Sequence, residues 1–212
     1  MKVTVLGATG PTGLEIVSQA LAKSWEVTAI VRNPSKLPMT SPLLYVVVGN
    51  VLDAATIRDC TKDADALVSA LGAPGGIGKK GATTLYSAAA RAIVEGLSDS
   101  ERIKVVFCTS AGVEVHDPSE VWFYRYVAKP YFLQRGYDDM KEAESILRSS
   151  PLSWVLVRPG RLINGPGGHL IRVSEHFRPP RGVNITRADL ARFMLTQVES
   201  DEWIGRTPTL TE

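Results

Sequence analysis

The stretch "VLGATGPTGLEIV", residues 5–17, decides the fold. Its three glycines, Gly7, Gly10 and Gly13, follow an apolar run and precede a helical pattern. Gly-x-x-Gly-x-x-Gly between a strand and a helix suits a loop that holds phosphate. Glycine lets the backbone approach a pyrophosphate, and the free N–H groups of the helix start attract its charge. The same spacing also makes a plain strand-to-helix turn, so the surrounding elements decide between the two.

Those elements alternate. Strand-like runs stand at "KVTVLG", "EVTAIVR", "LLYVVVG", "ALVSALG", "KVVFCTS" and "WVLVRPG". Helical patterns lie between most of them, at residues 13–23, 54–60, 83–97 and 138–149. A last helix begins in "ITRADLARFML", with Thr186 as N-cap and Asp189 three residues on. Strand–helix repetition with continuous Val/Ile/Leu strands predicts an α/β doubly wound parallel sheet with helices on both faces. With no repeat and no linker, residues 1–212 are expected to form a single Rossmann-type domain. In that setting the glycine loop is the start of a dinucleotide site, and the Pro/Gly clusters "GAPGGIGKKG", "RPGRLINGPGG" and "RPPRG" are loops around the ligand crevice.

Composition removes several other functions. The 24 Lys+Arg against 22 Asp+Glu leave a formal charge of +2, too balanced to predict nucleic-acid or acidic-membrane binding. Cys60 and Cys108 lie in apolar-flanked segments and are expected as free thiols in a reducing cytoplasm. No signal peptide or membrane span is expected, because Gly7, Gly10 and Pro11 interrupt the apolar run near the start. His116, His169 and His176 are scattered, so no metal site is expected. "GAPGGIGKKG" is not a nucleoside-triphosphate loop: Ala73 stands where the first glycine is required, and Lys80 where Ser or Thr is required. It is expected to flank the cofactor, with a gating role.

"VLGATGPTG" resembles the T-G-x-x-G signature of the short-chain dehydrogenase/reductase superfamily. More narrowly, the chain resembles its atypical NAD(P)H-binding branch, which includes flavin reductase (biliverdin-IXβ reductase) and NmrA-like proteins. "VRNPSKLP", "VVVGNVLD", "CTSAGV", "LSWVLVRPGRL" and "ITRADLARFML" extend the resemblance over nearly the whole chain. It implies a phosphate loop of Gly7, Thr9, Gly10, Pro11, Thr12 and Gly13. The second strand ends in Arg32, with Lys36 four residues on and no acid between Val27 and Lys36. A basic residue there suits the 2′-phosphate of NADP(H), as the matching arginine does in flavin-reductase relatives. The resemblance also brings Asn50 and Val51 to the adenine, with Asn in place of the usual Asp. Leu71, Gly72, Thr109 and Ser110 come beside the cofactor's phosphates and ribose.

For chemistry, many superfamily members pair a serine after the fifth strand with Tyr-x-x-x-Lys. Here Ser110, Tyr137 and Lys141 fit that pattern, and the i, i+4 spacing puts Tyr137 and Lys141 on one helix face. The flavin-reductase type works without the tyrosine, so both versions stand. "SEVWFYRYVAKPYFLQRGY" is aromatic-rich: it forms a wall for a planar substrate, or a packing helix or dimer contact. The expectation is an NADPH-dependent oxidoreductase, monomer or homodimer, acting on a small aromatic or conjugated molecule such as a flavin, quinone or carbonyl compound. The alternatives are an NADP(H)-sensing regulator of the NmrA-like kind and a redox-neutral isomerase or cyclase.

Overall fold

Valines crossing the sheet in one register fix its centre. Val46, Ala29, Val5, Val68, Val106 and Val155 are successive partners across six parallel strands. Small β-branched side chains pack densely against helices on such a surface. The computed structural model describes residues 1–72, 84–98, 100, 102–114, 134–175 and 177–212. Its six longest strands are β1 (Lys2–Leu6), β2 (Glu26–Val31), β3 (Leu44–Val48), β4 (Ala66–Ser69), β5 (Lys104–Cys108) and β6 (Ser153–Pro159). Beyond β6 come β7 (Arg161–Ile163), β8 (Arg172–Ser174), β9 (Asn184–Thr186) and β10 (Thr209–Thr211). The main sheet runs β3-β2-β1-β4-β5-β6-β10-β8, parallel except for the β10–β8 pair, and β7 with β9 forms a separate two-stranded sheet.

The helices are α1 (Pro11–Ala22), α2 (Ala54–Thr61), α3 (Leu85–Gly96), α4 (Gln134–Arg148) and α5 (Arg187–Glu199). Alternation along the strands divides the core. Val3, Val5, Val27 and Val106 face α1 and α5 through Ile16, Val17, Leu190 and Met194. Leu6, Leu67, Phe107 and Leu156 face α2, α3 and α4 through Ile57, Ile93, Met140 and Leu147. The doubly wound parallel sheet is therefore the observed fold.

Two details differ from the sequence reading. β3 is an edge strand rather than a fully buried one: Tyr45 is 51% and Val48 67% exposed, because among the described residues only β2 pairs with it. Asp138 and Asp139 do not open α4, which already starts at Gln134. Instead buried Asp139 caps another helix, its carboxylate accepting the backbone N–H groups of Tyr86 (2.9 Å) and Ser87 (3.0 Å) at the start of α3. That negative charge answers orphan donors which Thr84, the N-cap, does not cover with its side chain.

The α5 start is built as the sequence suggests. Thr186 Oγ1 accepts the Asp189 N–H at 3.1 Å and donates to the Asp189 carboxylate at 2.8 Å. Lys104 closes the other end, donating to the carbonyls of Gln197 (3.1 Å) and Ser200 (2.8 Å). Burial works against the Asp189 charge, but donors outweigh it. The Gly168 N–H, Arg192, Thr186 and His169 together hold the carboxyl far below its ordinary range. The folded form is thus the poorer proton binder. Its contribution is complete above the unfolded aspartate value of about 3.9 and is lost as pH falls through and below that value. Stability measured by urea midpoints should drop between about pH 5 and pH 2, with a shallower acid limb in Asp189→Asn. Identical acid limbs in the two proteins would contradict this assignment.

Candidate functional site

The direction of winding reverses between β1 and β4, and at that point the two strand ends touch. A β-carbon on Gly7, which has φ +80°, would stand 2.6 Å from the carbonyl oxygen of Ala70. Only glycine accepts both that dihedral and that approach. The chain then turns: Gly10 donates its N–H to the Gly7 carbonyl at 2.9 Å, and α1 starts with Pro11. A β-carbon on Gly13 would lie 2.0 Å from the same carbonyl oxygen. The helix start is thereby drawn against the strand end.

Gly10 differs. Among the described residues its near neighbour would be the Gly7 oxygen at 3.3 Å, a tight contact that a small backbone shift relieves, and its φ of −79° is open to any residue. Packing among the described residues therefore constrains this position far less than Gly7 or Gly13, and a glycine here leaves the backbone open to a ligand. Gly10 offers no side-chain cap, and Pro11 has no N–H. The first-turn amides of Thr12 and Gly13 lack intrahelical partners, and the helix dipole adds positive potential. This donor set fits a pyrophosphate.

Around this cradle, Arg32 directly follows β2 and is exposed, as is Lys36 in the short 3-10 turn Pro34–Lys36. Asn33 orders that turn by accepting the Ser35 N–H at 3.1 Å. Asn50 folds its own turn, with Oδ1 accepting the Leu52 N–H at 3.1 Å. Val51 is half-buried against the α2–α3 layer, beside Asp53, which caps α2 through the Thr56 hydroxyl (2.6 Å) and N–H (2.9 Å). Those bonds, the hydroxyl first, lower the Asp53 carboxyl below its ordinary value. Leu71 packs on the same layer, while Gly72 stands exposed, and a β-carbon there would meet none of the described residues within 4 Å. Thr9 is half-buried and Thr12 buried in the glycine loop.

Across the crevice, Ser110 follows β5 and accepts the Gly112 N–H on Oγ at 3.2 Å. Tyr137 comes to this same loop: a β-carbon on Gly112 would stand 2.5 Å from its hydroxyl oxygen. The fold thus brings Ser110 and Tyr137 both against Gly112. Lys141, one turn along α4, is exposed while Tyr137 is buried. Cys108 is no nucleophile, since burial pushes its thiol up to about 12. The aromatic stretch from Trp122 to Phe132, His116, His176 and most of "GAPGGIGKKG" lie outside the described residues.

The sequence reading missed a buried ionic group beneath this loop. Arg158 of β6 grips Glu144 of α4 with two bonds, Nε to Oε1 at 2.9 Å and Nη2 to Oε2 at 2.5 Å. The Thr109 hydroxyl donates to Glu144 at 2.7 Å, and Arg158 Nη1 to Glu114 at 3.1 Å. Burial opposes the Arg158 charge, but Glu144 and then Glu114 outweigh it and raise the guanidinium above its ordinary value. The visible signal was a charge inside the apolar run "WVLVRP", which demands a buried partner. His169, Asp189 and Glu212 also gather, with His169 Nδ1 3.1 Å from Asp189 and 3.6 Å from Glu212. Both Asp189 oxygens accept protein donors, Arg192 among them, so the group is held as a hydrogen-bonded cluster. Among the described residues, no helix is long and apolar enough to cross a membrane.

A family model described as NAD(P)H-binding matches residues 7–201, and the chain belongs to that family. The Bacillus subtilis protein YhfK, named an uncharacterised sugar epimerase, is 27% identical over 217 residues, spanning 100% of this chain and 94% of its own. A Veillonella parvula short-chain dehydrogenase/reductase, crystallised with NADP, superposes with a TM-score of 0.81 at 15% identity over 100% of this chain and 94% of that one. A Streptococcus pneumoniae protein described as a candidate NADH-flavin reductase gives 0.79 at 20% identity, over 100% and 99%. At these identities the two structures speak for the fold alone.

The two inner glycines should separate by mutation. Gly13→Ala drives a methyl into the Gly7 carbonyl and should cost about 1–3 kcal/mol of stability, read from urea unfolding. Gly10→Val should fold near normally yet lose calorimetric NADPH binding. A Gly10→Val protein that binds NADPH like the wild type would remove the phosphate cradle.

Proposed function

We propose that this chain is an NADPH-dependent reductase that passes a hydride to a small aromatic or conjugated acceptor, a flavin, quinone or carbonyl compound. The observation that supports the reading is the cradle at Gly10, where among the described residues a β-carbon would meet the Gly7 oxygen alone, at 3.3 Å, so the bare backbone is left open to a ligand. Gly7, Thr9, Gly10, Pro11, Thr12 and Gly13 would hold the pyrophosphate, and Arg32 with Lys36 the 2′-phosphate. Asn50 and Val51 would meet the adenine, and Leu71, Gly72 and Ser110 the phosphates and ribose, whereas the buried Thr109 hydroxyl is taken by Glu144 and stands outside that set. The bound nicotinamide supplies the hydride, and the protein orients it.

On the acceptor side, the Ser110 hydroxyl would orient the group being reduced. Where the acceptor is a carbonyl, the Tyr137 hydroxyl would deliver the proton to its oxygen, helped by Lys141. Where it is a flavin or quinone, water can supply the proton. The burial of Tyr137 beside an exposed Lys141 favours the second version. YhfK's name favours one competing reading, a redox-neutral reaction on the same cofactor site. Another is an NADP(H) sensor without turnover. Steady NADPH oxidation with a panel of flavins, quinones and carbonyl compounds supports the reductase; NADPH binding without oxidation rejects it.

Two variants refine it. Arg32→Ala should weaken NADPH more than NADH by roughly 1.5–3 kcal/mol, the scale of a lost charge-assisted contact. Equal losses would move the 2′-phosphate elsewhere. Tyr137→Phe should leave kcat within about threefold for the flavin or quinone version; a fall of about 10²–10⁴-fold would make the tyrosine a general acid.

A further inference from the structure

The six-residue segment 109–114 carries Ser110, and both of its ends are held by one buried ion pair. At the near end, Thr109 bonds to Glu144 through its hydroxyl (2.7 Å) and to the Val157 carbonyl through its N–H (2.9 Å). At the far end, Glu114 meets Arg158 (3.1 Å), the residue that also grips Glu144. Between them the loop closes on itself, with Val113 N–H on the Ser110 carbonyl (3.1 Å) and the Tyr137 ring beneath Gly112. Tyr137 and Glu144 lie seven residues apart on the buried face of α4, so one helix supports the loop at two points.

This is more than a strand end requires. Thr109 is 6% exposed and its hydroxyl is already engaged, so its side chain faces the ion pair and not the crevice. Glu144 is 3% and Arg158 8% exposed, an expensive placement that hydrophobic residues could fill without loss. What the charges add is direction. A bidentate guanidinium–carboxylate pair fixes both partners in a plane, and its remaining donor and acceptor sites point to Glu114 and Thr109.

We infer that Glu144 and Arg158 form a two-point clamp whose purpose is to position the Ser110 loop for the acceptor. They are positioning residues, acting through Thr109 and Glu114. The inference rests on the proposed reductase reading. Because β5 stands two strands from β1 and its glycine loop, loosening the clamp disturbs the acceptor step more than cofactor binding.

Removing Glu144 or Arg158 would strand a buried charge and endanger folding, so the test releases one loop end at a time. Thr109→Val deletes only the hydroxyl, Thr109→Ser restores it, and Glu114→Ala frees the half-exposed far end. Folded, NADPH-binding variants are compared in acceptor kinetics, and in hydrogen exchange of the Gly112 and Val113 amides. Displacement of a reacting geometry is costly, so Thr109→Val and Glu114→Ala should each lower acceptor kcat/KM by about tenfold. NADPH affinity should stay within about twofold, the two amides should exchange faster, and Thr109→Ser should regain the wild-type values. Unchanged turnover in both variants overturns the clamp, even if exchange quickens, as does a parallel loss of NADPH affinity. If the wild type binds NADPH yet reduces no acceptor, the reductase reading fails. Exchange then decides alone, and unchanged protection overturns the clamp.

Discussion

The carbonyl oxygen of Gly7 sits where a β-carbon on residue 13 would have to stand. That single close approach sets how tightly the first strand turns into the first helix. It aims the amides of Thr12 and Gly13 at the C-terminal edge of the sheet. The Gly7 α-carbon is simultaneously pressed against the Ala70 carbonyl, so the loop is wedged between the ends of β1 and β4. A bulkier residue at either position would push helix and strand apart and spread the donors. The crevice exists because two residues have no side chain.

The opposite wall of the crevice is made by different means. Bare backbone makes the glycine-loop side, whereas the Ser110 side hangs on buried charge, with α4, β5 and β6 joined through Glu144 and Arg158. The outer loops are tied down the same way. Asp189 draws the Gly168 and His169 amides (2.9 and 3.2 Å) onto the first turn of α5. Saturated carboxylates of this kind hold irregular backbone in place without a regular ladder, as loops around a ligand site need.

Much of this was legible in the residues. The glycine spacing, the continuous valine strands and the Thr186–Asp189 cap all carry their meaning locally, through steric room, burial on both faces and a spacing of three. The strands β7 to β10 were not legible, because three residues cannot display a period. The exposure of β3 depends on which strand ends the sheet, and pattern does not reveal that. Asp139 misled for a related reason: its neighbours suggest its own helix, but its partners are the Tyr86 and Ser87 amides, more than fifty residues away. Tyr137 and Lys141 have the expected spacing, yet α4 buries one and exposes the other. Arg158 stands out as a charge inside an apolar run, but only the pairing of α4 with β6 supplies Glu144 as its partner.

The central claim is that a dinucleotide pyrophosphate lies on the first turn of α1. Amide-resolved NMR of the labelled protein during NADPH titration tests it most directly. The account predicts that the Thr12 and Gly13 amides move furthest, downfield as donors to an anion, and saturate at one NADPH per chain. NADPH binding that shifts amides elsewhere, and leaves residues 7–13 where they were, would contradict it.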